Sequence, residues 1–284
     1  MTAVKIIRSA NQMQEEANRL RSGGKTLALV PTMGYLHEGH LSLMRLARQR
    51  ADILVVSIFV NPTQFGPGED LASYPKSFER DVQLAGNEGA DFIFAPSEKD
   101  LYPDGFQTYV TLQELPGYLC GRSRPVHFRG VATVVTKLFN IVKPHTAVFG
   151  QKDYQQLVII RRLARDLNFD IDIVGSPTVR EPDGLAKSSR NLYLTPVQRR
   201  DALCLYQSLQ NAQAMVTEGV TDTARIVDRT KLLIQSCPEA TVDYISLCDP
   251  ETLKNVDTIK GPVIMALAVK IGKSRLIDNA ILNP

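Results

Sequence analysis

Residues 26–40 read Thr-Leu-Ala-Leu-Val-Pro-Thr-Met-Gly-Tyr-Leu-His-Glu-Gly-His. The apolar run at 26–30 is predicted as a short buried strand, Pro31 to Gly34 force a turn, and a helix is predicted to start near Gly39. In an open parallel sheet, ligands collect beyond the carboxyl ends of the strands. His37 and His40 stand at such an end, where the strand feeds the helix. A helix N-terminus offers free N–H groups and a positive dipole end, which suit phosphate. Gly39 lets a ligand approach the backbone closely. An imidazole can donate hydrogen bonds to phosphate oxygens where charge builds up. Two plainer readings compete: a surface histidine pair at a helix start, or a metal pair at i, i+3. For the metal reading only His127 and His145 remain as further imidazoles, and neither lies in a ligand motif.

The pattern on either side of this stretch repeats the alternation. A helix is predicted over 9–20, where Ser9 and Gln12 suit a capping box and Met13, Ala17 and Leu20 share a face, and Gly23–Gly24 end it. Residues 53–60 are apolar apart from Ser57, as expected for a strand covered on both faces. Helices follow near 77–88, 131–142 and 153–167, with strands at 91–95, 147–149 and 171–174. This rhythm predicts an α/β fold, a Rossmann-like parallel sheet flanked by helices, over residues 1–178. The polar stretch 179–195, with a turn at Pro182-Asp183-Gly184, reads as a hinge. Beyond it, helices near 196–217 and 223–236 and strands at 242–247, 263–269 and 275–277 predict a smaller C-terminal α+β lid domain over 179–284.

Composition narrows the function classes. The 284 residues are 44% hydrophobic and 22% charged, with a net charge of +3 spread along the chain, so no basic stripe exists to follow a nucleic-acid backbone. Residues 1–17 lack the apolar run of a secretory signal, and the longest apolar run, 53–60, is too short to span a bilayer. Cys120, Cys204, Cys237 and Cys248 form no C-x-x-C pair and read as free thiols. A cytoplasmic enzyme acting on small molecules, with neither nucleic acid nor membrane as partner, is the expectation.

Three more segments sit where chemistry is expected. Asn61 and Gln64 directly follow the 53–60 strand, where side-chain amides can read a carboxylate or hydroxyl, although a capping Asn and a surface Gln fit equally well. Gly150-Gln151-Lys152-Asp153 follows the 147–149 strand, and Lys152 there is placed to meet phosphate as a point charge. Lys187-Ser188-Ser189-Arg190-Asn191 offers hydroxyls, amides and a guanidinium on a hinge that can close over a triphosphate. Gly24-Lys25-Thr26 is not a phosphate loop, because Arg19 stands where that motif needs glycine and the segment precedes a strand. No G-x-G-x-x-G occurs, so a dinucleotide cofactor has no support.

Taken in order, PTMGYLHEGH at 31–40, SIFVNPTQF at 57–65, RPVHFRGV at 124–131, FGQKDYQQL at 149–157, DGLAKSSRNLYL at 183–194 and RLIDN at 275–279 resemble the pantoate–β-alanine ligase family, within the H-x-G-H nucleotidyltransferase-like superfamily. The resemblance implies a two-step ligation: pantoate attacks the α-phosphorus of ATP, and the amine of β-alanine then displaces AMP from pantoyl-adenylate. It implies that His40 is the main catalytic imidazole, with His37 and Lys152 on the phosphates. The ATP site would comprise Met33, Gly34, Tyr35, Leu36, Glu38 and Gly39 around the histidines. Gly150, Gln151, Asp153, Val179, Lys187, Ser188, Ser189 and Arg190 would complete it. Gln64 and Gln156, with Asn61, would hold the acid substrate. It also implies Mg²⁺ with ATP and a homodimer formed through the first domain. Lys187 occupies a site where the family usually carries Met or Leu before Ser-Ser-Arg-Asn, and the sequence leaves open whether its backbone or its ammonium meets the nucleotide. Asp81 is expected to be an ordinary exposed helix acid rather than a partner of Mg²⁺. A nucleotidyltransferase using a phosphorylated acceptor would share the histidines but should carry Arg where Gln64 and Gln156 stand. A non-catalytic nucleotide- or RNA-binding module fits the near-neutral charge poorly.

Overall fold

The computed structural model describes residues 4–284. Its elements run β1 (Lys5–Ile7), α1 (Ala10–Ser22), β2 (Leu27–Thr32), α2 (Glu38–Arg48), β3 (Ile53–Ile58), α3 (Phe78–Asn87), β4 (Phe92–Phe94), α4 (Glu98–Leu101), α5 (Leu119–Ser123), α6 (His127–Val142), β5 (Thr146–Gly150), α7 (Tyr154–Asp166) and β6 (Asp172–Ser176). There follow α8 (Pro196–Asp201), α9 (Cys204–Thr217), α10 (Thr223–Gln235), β7 (Ala240–Cys248), β8 (Val263–Ile271) and β9 (Ser274–Leu282).

The first six strands form one parallel sheet in the order β1-β4-β3-β2-β5-β6. Its strands are apolar at successive positions because both faces are covered. Leu27, Leu29, Val55, Phe92, Phe94, Ala147 and Phe149 face the core shared with α1, α6 and α7. Ala28, Val30, Leu54, Val56, Ile93 and Val148 face the opposite core, with α2 and α3. β1, with only Ile7 of its three residues buried, is too short to have been predicted from its pattern.

The last three strands form a separate antiparallel sheet, β7-β8-β9. β8 shows why this sheet also reads as a continuous apolar run. Val263, Met265, Leu267, Val269 and Ile271 face α9 and α10. Ile264 and Ala266 face the other way, joining Leu115, Leu119, Val158 and Ile159 of the first unit in a shared cluster. The helix expected over 196–217 is two helices. At the junction the bonds Leu203 N–H to Arg200 O and Leu205 N–H to Ala202 O tighten to i→i−3, so the ladder breaks without a proline or glycine. No helix among the described residues is long and apolar enough to cross a membrane.

Candidate active site

The carboxyl ends of β2, β3 and β5 open into a cavity of about 250 Å³. Met33, His37, Gly39 and His40 line one side of it, and Asn61 and Gln64 another. Gly150, Lys152, Asp153 and Gln156 come from the end of β5, and Val179 with Lys187 to Arg190 come from the stretch after β6. A larger cavity of about 730 Å³ adjoins it, and both are lined by Arg124, Lys152, Asp153, Gln156 and Arg190.

The two histidines cap α2 and present their outer nitrogens. His37 is the N-cap, and its Nδ1 accepts the Gly39 N–H at 3.1 Å, while His40 Nδ1 accepts the His37 N–H at 3.3 Å. This is a reciprocal capping arrangement in which imidazoles replace the usual Ser and Glu. A nitrogen that accepts N–H carries no proton, so each ring is the Nε2–H tautomer with Nε2 left as a donor. The rings stack with centroids 4.1 Å apart. Burial, followed by the charges of Lys152 and Lys187, pushes the His37 pKa down to about 4. Burial, followed by His37 and Lys152, pushes that of His40 down to about 3. Both are therefore neutral donors at physiological pH. Gly39 is required by close approach: a β-carbon there would lie 2.9 Å from His37 Cε1 and drive the ring off its N–H.

The turn before the histidines is held from α3. Gly34 and Tyr35 both have positive φ, 83° and 51°, the second being costly for a residue with a side chain. Asp81 keeps this turn in place: Oδ2 accepts the Tyr35 N–H and Oδ1 the Leu36 N–H, each at 2.7 Å, and Arg80 donates to Leu36 O at 2.9 Å. Asp81 is thus not the exposed helix acid expected from the sequence. It is 1% exposed, and both oxygens serve the backbone. Of the residues expected around ATP, four turn their side chains elsewhere, and Gly34, which has none, lies against Asp81. Leu36 is fully buried, Tyr35 carries Arg80 on its ring, Glu38 is exposed and paired with Arg45, and Gln151 lines neither cavity.

The amides behave differently from one another. Asn61 is saturated by protein: Nδ2 donates to Gln64 Oε1 at 3.0 Å and Gly130 O at 3.1 Å, while Oδ1 accepts from the Thr63 and Tyr102 hydroxyls. It therefore orients Gln64 rather than gripping a substrate; with Gln64 Oε1 occupied and one Nε2 hydrogen donated to Met33 Sδ at 3.2 Å, the second Nε2 hydrogen is left for the cavity. His127, 9% exposed, has Nδ1 3.0 Å from Gln64 O, which makes it a donor to that carbonyl. Gln156 makes no side-chain hydrogen bond among the described residues, whereas its neighbour Gln155 is spent on Leu115 O and Tyr118 O.

Four cations line the cavity. Arg124 is paired with Glu69, Arg190 with Asp70 and Lys187 with Glu181, whereas Lys152 has no carboxylate within ion-pair distance among the described residues. Asp153 is the one acid in the lining among the described residues. No three His, Cys, Asp or Glu side chains among the described residues gather as metal ligands.

Comparison with known proteins places this geometry. The family model described as pantoate-beta-alanine ligase matches residues 5–281. The chain belongs to the pantoate–β-alanine ligase family. It is 58% identical to the pantothenate synthetase of Desulfatibacillum aliphaticivorans over 99% of this chain and 100% of that one. It is 57% identical to that of Geobacter sulfurreducens, over 98% and 99%. Among solved structures, the pantothenate synthetase of Thermus thermophilus superposes with a TM-score of 0.94 at 41% identity, covering 99% of this chain and 100% of that one. A pantoate–β-alanine ligase of Francisella tularensis, complexed with beta-gamma ATP and β-alanine, superposes with a TM-score of 0.83 at 36% identity over 98% of each chain.

In this ligase-family chain the segment 275–279 ties the second sheet to the site. Asn279 Nδ2 donates to Gln151 O at 3.0 Å and to Lys152 O at 2.8 Å. The buried Asp278 takes both ends of the Arg180 guanidinium. Arg275 binds Asp243 and reaches Cys120 Sγ at 3.1 Å. Reading the sequence by local pattern misses Asn279, Arg124 and His127 as site residues. Each acts on a partner 55 or more positions away, and no spacing rule reports such a contact.

Proposed function

We propose that this cavity carries out the ligation of its family in two steps, with ATP on the histidine side and pantoate on the amide side. In the first, a pantoate carboxylate oxygen bonds to the α-phosphorus and the bond from that phosphorus to the bridging oxygen breaks, releasing pyrophosphate. In the second, the β-alanine nitrogen bonds to the acyl carbon, sheds a proton, and AMP departs with the acyl-side oxygen. The observation that carries this reading is the pairing, in one cavity, of two neutral Nε2–H donors beside the unpaired Lys152 with the oriented Nε2 donor of Gln64. Charge develops on the phosphoryl oxygens and on departing pyrophosphate, so fixed donors and a cation are what the step demands. His40 and His37 serve as the donors, and Lys152 as the counter-charge. No protein nucleophile is required, because pantoate supplies the attacking oxygen. Gln64 and Gln156 hold the polar end of pantoate, while Val131, Val134 and Leu138 line the same cavity and suit its branched apolar body.

Mg²⁺ fits this site as a companion of the triphosphate. That ion keeps several waters and takes one or two carboxylates together with phosphate oxygens. Asp153 is the carboxylate available, and the ion would offset phosphate charge. We further propose that residues 179–284 act as a lid on residues 1–178, carrying Lys187 to Arg190 to the nucleotide, and that the chain works as a homodimer through 1–178. The deciding experiment is exchange of labelled pyrophosphate into ATP. Exchange that needs pantoate but not β-alanine is expected; exchange without any acid, or none at all from folded protein, overturns the two-step reading.

A further inference from the structure

The cations of the cavity are not equivalent, and one of them bears on how ATP is held. This inference rests on the nucleotide assignment above. Glu69 and Asp70, the partners of Arg124 and Arg190, belong to the wall of the larger cavity. Glu181, the partner of Lys187, lines neither cavity, whereas Lys187 itself lines the smaller one. The Lys187 ammonium is therefore held by an acid 2.9 Å away that is not itself part of either lining.

The backbone beneath this pair is pinned. Lys187 N–H donates to Val179 O at 2.9 Å and Glu181 N–H to Leu185 O at 2.8 Å, closing a tight hairpin around the bridge between Arg180 and Ala186. Arg180, at the centre of that hairpin, donates to Gly184 O and is held at both ends by the buried Asp278. With the frame fixed, only the outer parts of the Lys187 and Glu181 side chains are free to move. The Lys187 stem starts against the N-terminus of α2: its Cβ lies 3.9 Å from where a β-carbon on Gly39 would sit. Its charge is felt by His37, one of the two proposed phosphate donors. The side chains of Lys187 and Glu181 are 31% and 24% exposed, so the pair is partly screened and readily exchanged. A four-carbon stem lets the ammonium point either back to Glu181 or forward to an anion at the helix terminus.

We propose that Lys187 sets ATP affinity: its ammonium leaves Glu181 for the triphosphate when ATP binds, and Glu181 is its placeholder in the empty site. Glu181 thereby opposes ATP twice, by holding the cation and by presenting a negative charge behind it. The two partners of one ion pair should then act on ATP affinity in opposite directions. A clasp that merely holds the hairpin together would instead make both substitutions act alike.

Equilibrium titration of ATP onto the full-length chain tests this, using Lys187→Met, which keeps the stem without the charge, and Glu181→Gln. The dissociation constant should rise about three- to tenfold in Lys187→Met, the upper range for one partly exposed, screened charge contact. It should fall about two- to fivefold in Glu181→Gln, as expected for removing one screened competing charge. Lys187→Arg should retain most of the wild-type affinity. The Lys187→Met effect should shrink as salt is raised, since a partly exposed charge is screened. Weaker ATP binding in both Lys187→Met and Glu181→Gln, or unchanged binding in both, overturns the proposal. Wild-type protein run alongside separates the two levels. If it binds no ATP and supports no pantoate-dependent pyrophosphate exchange, the functional reading itself fails. If it does both and the variants move together, only the role of Lys187 fails.

Discussion

His37 and His40 do two jobs with the two nitrogens of one ring. Nδ1 of each satisfies a backbone N–H at the start of α2, and that bond leaves the proton on the outward Nε2. In the proposed nucleotide site a phosphate oxygen would thus meet a donor whose direction is fixed by the helix cap. His40→Ala should lower the rate of adenylate formation by roughly 10²–10³, the scale of losing one preorganised donor at developing charge. Pantoate affinity should stay near wild type, and near-normal adenylation in single-turnover assays would remove His40 from the chemistry. His127 shows the energetic side of burying an imidazole. Burial, more than the nearby Arg124, pushes its pKa from 6.5 to about 4, so the unfolded chain takes up a proton where the folded one does not. Its stabilising contribution is complete above pH 6.5 and is lost as pH falls from there to about 4. In that window His127→Gln should make the unfolding free energy less steep against pH by up to about 1.4 kcal/mol per unit, one proton's worth. An unchanged slope in urea titrations across that range would mean that the folded protein protonates His127 freely.

At the scale of elements, the sheet was legible wherever a face pattern repeated. β2, β3 and β5 alternate between two cores, and α1 places Met13, Ala17 and Leu20 on one face, so their periods stand out locally. β1 did not stand out, because three residues with one buried side chain carry no period. The break between α8 and α9 was equally hidden, since it depends on which carbonyl each N–H chooses and not on a breaker residue. The role of Asp81 is hidden from the sequence for a related reason. Its place on α3 is plain, but the turn it serves lies 45 and 46 positions earlier, and only the fold brings them together. That contact makes α3 a support for the start of α2. Asp81→Asn keeps the shape but removes the charge and turns one acceptor oxygen into an amide donor facing an N–H. The loss of two charge-assisted bonds should cost about 2–4 kcal/mol of stability, at 1.5–3 each less what the amide retains. ATP affinity should fall as well, because Gly34 and Tyr35 are no longer held at positive φ. An Asp81→Asn variant with wild-type urea midpoint and wild-type ATP binding would show that the turn holds itself.

Across the whole molecule, the site depends on a strand that contributes nothing to the parallel sheet. β9 pairs only with β8, yet Asn279 reaches from it to the carbonyls of Gln151 and Lys152, 128 and 127 positions earlier in the chain. The role proposed for Lys152 leans on this anchor: the residue sits in the short turn Gln151–Asp153 between β5 and α7, and no ion pair among the described residues fixes its ammonium. The amide of Asn279 is well matched to the task, because one nitrogen can donate to two carbonyl oxygens at once. Asn279→Asp reverses the match, setting a carboxylate against two acceptors, and the turn bearing Lys152 should shift away from it. Adenylation should then slow by roughly 10- to 100-fold, since a displacement near 1 Å at a positioned group can cost that much. Asn279→Ala should do less, because water can replace the lost donor at both carbonyls. The second half-reaction, started from preformed adenylate, should be largely spared in both variants: the outer phosphates that need Lys152 have already gone. Far-UV circular dichroism and the dependence of unfolding free energy on urea should match wild type, as the cores on either side of β8 are untouched. Equal slowing of both half-reactions would reassign Asn279 to the general docking of the two sheets, and unimpaired adenylation in Asn279→Asp would show that Lys152 finds its place without β9.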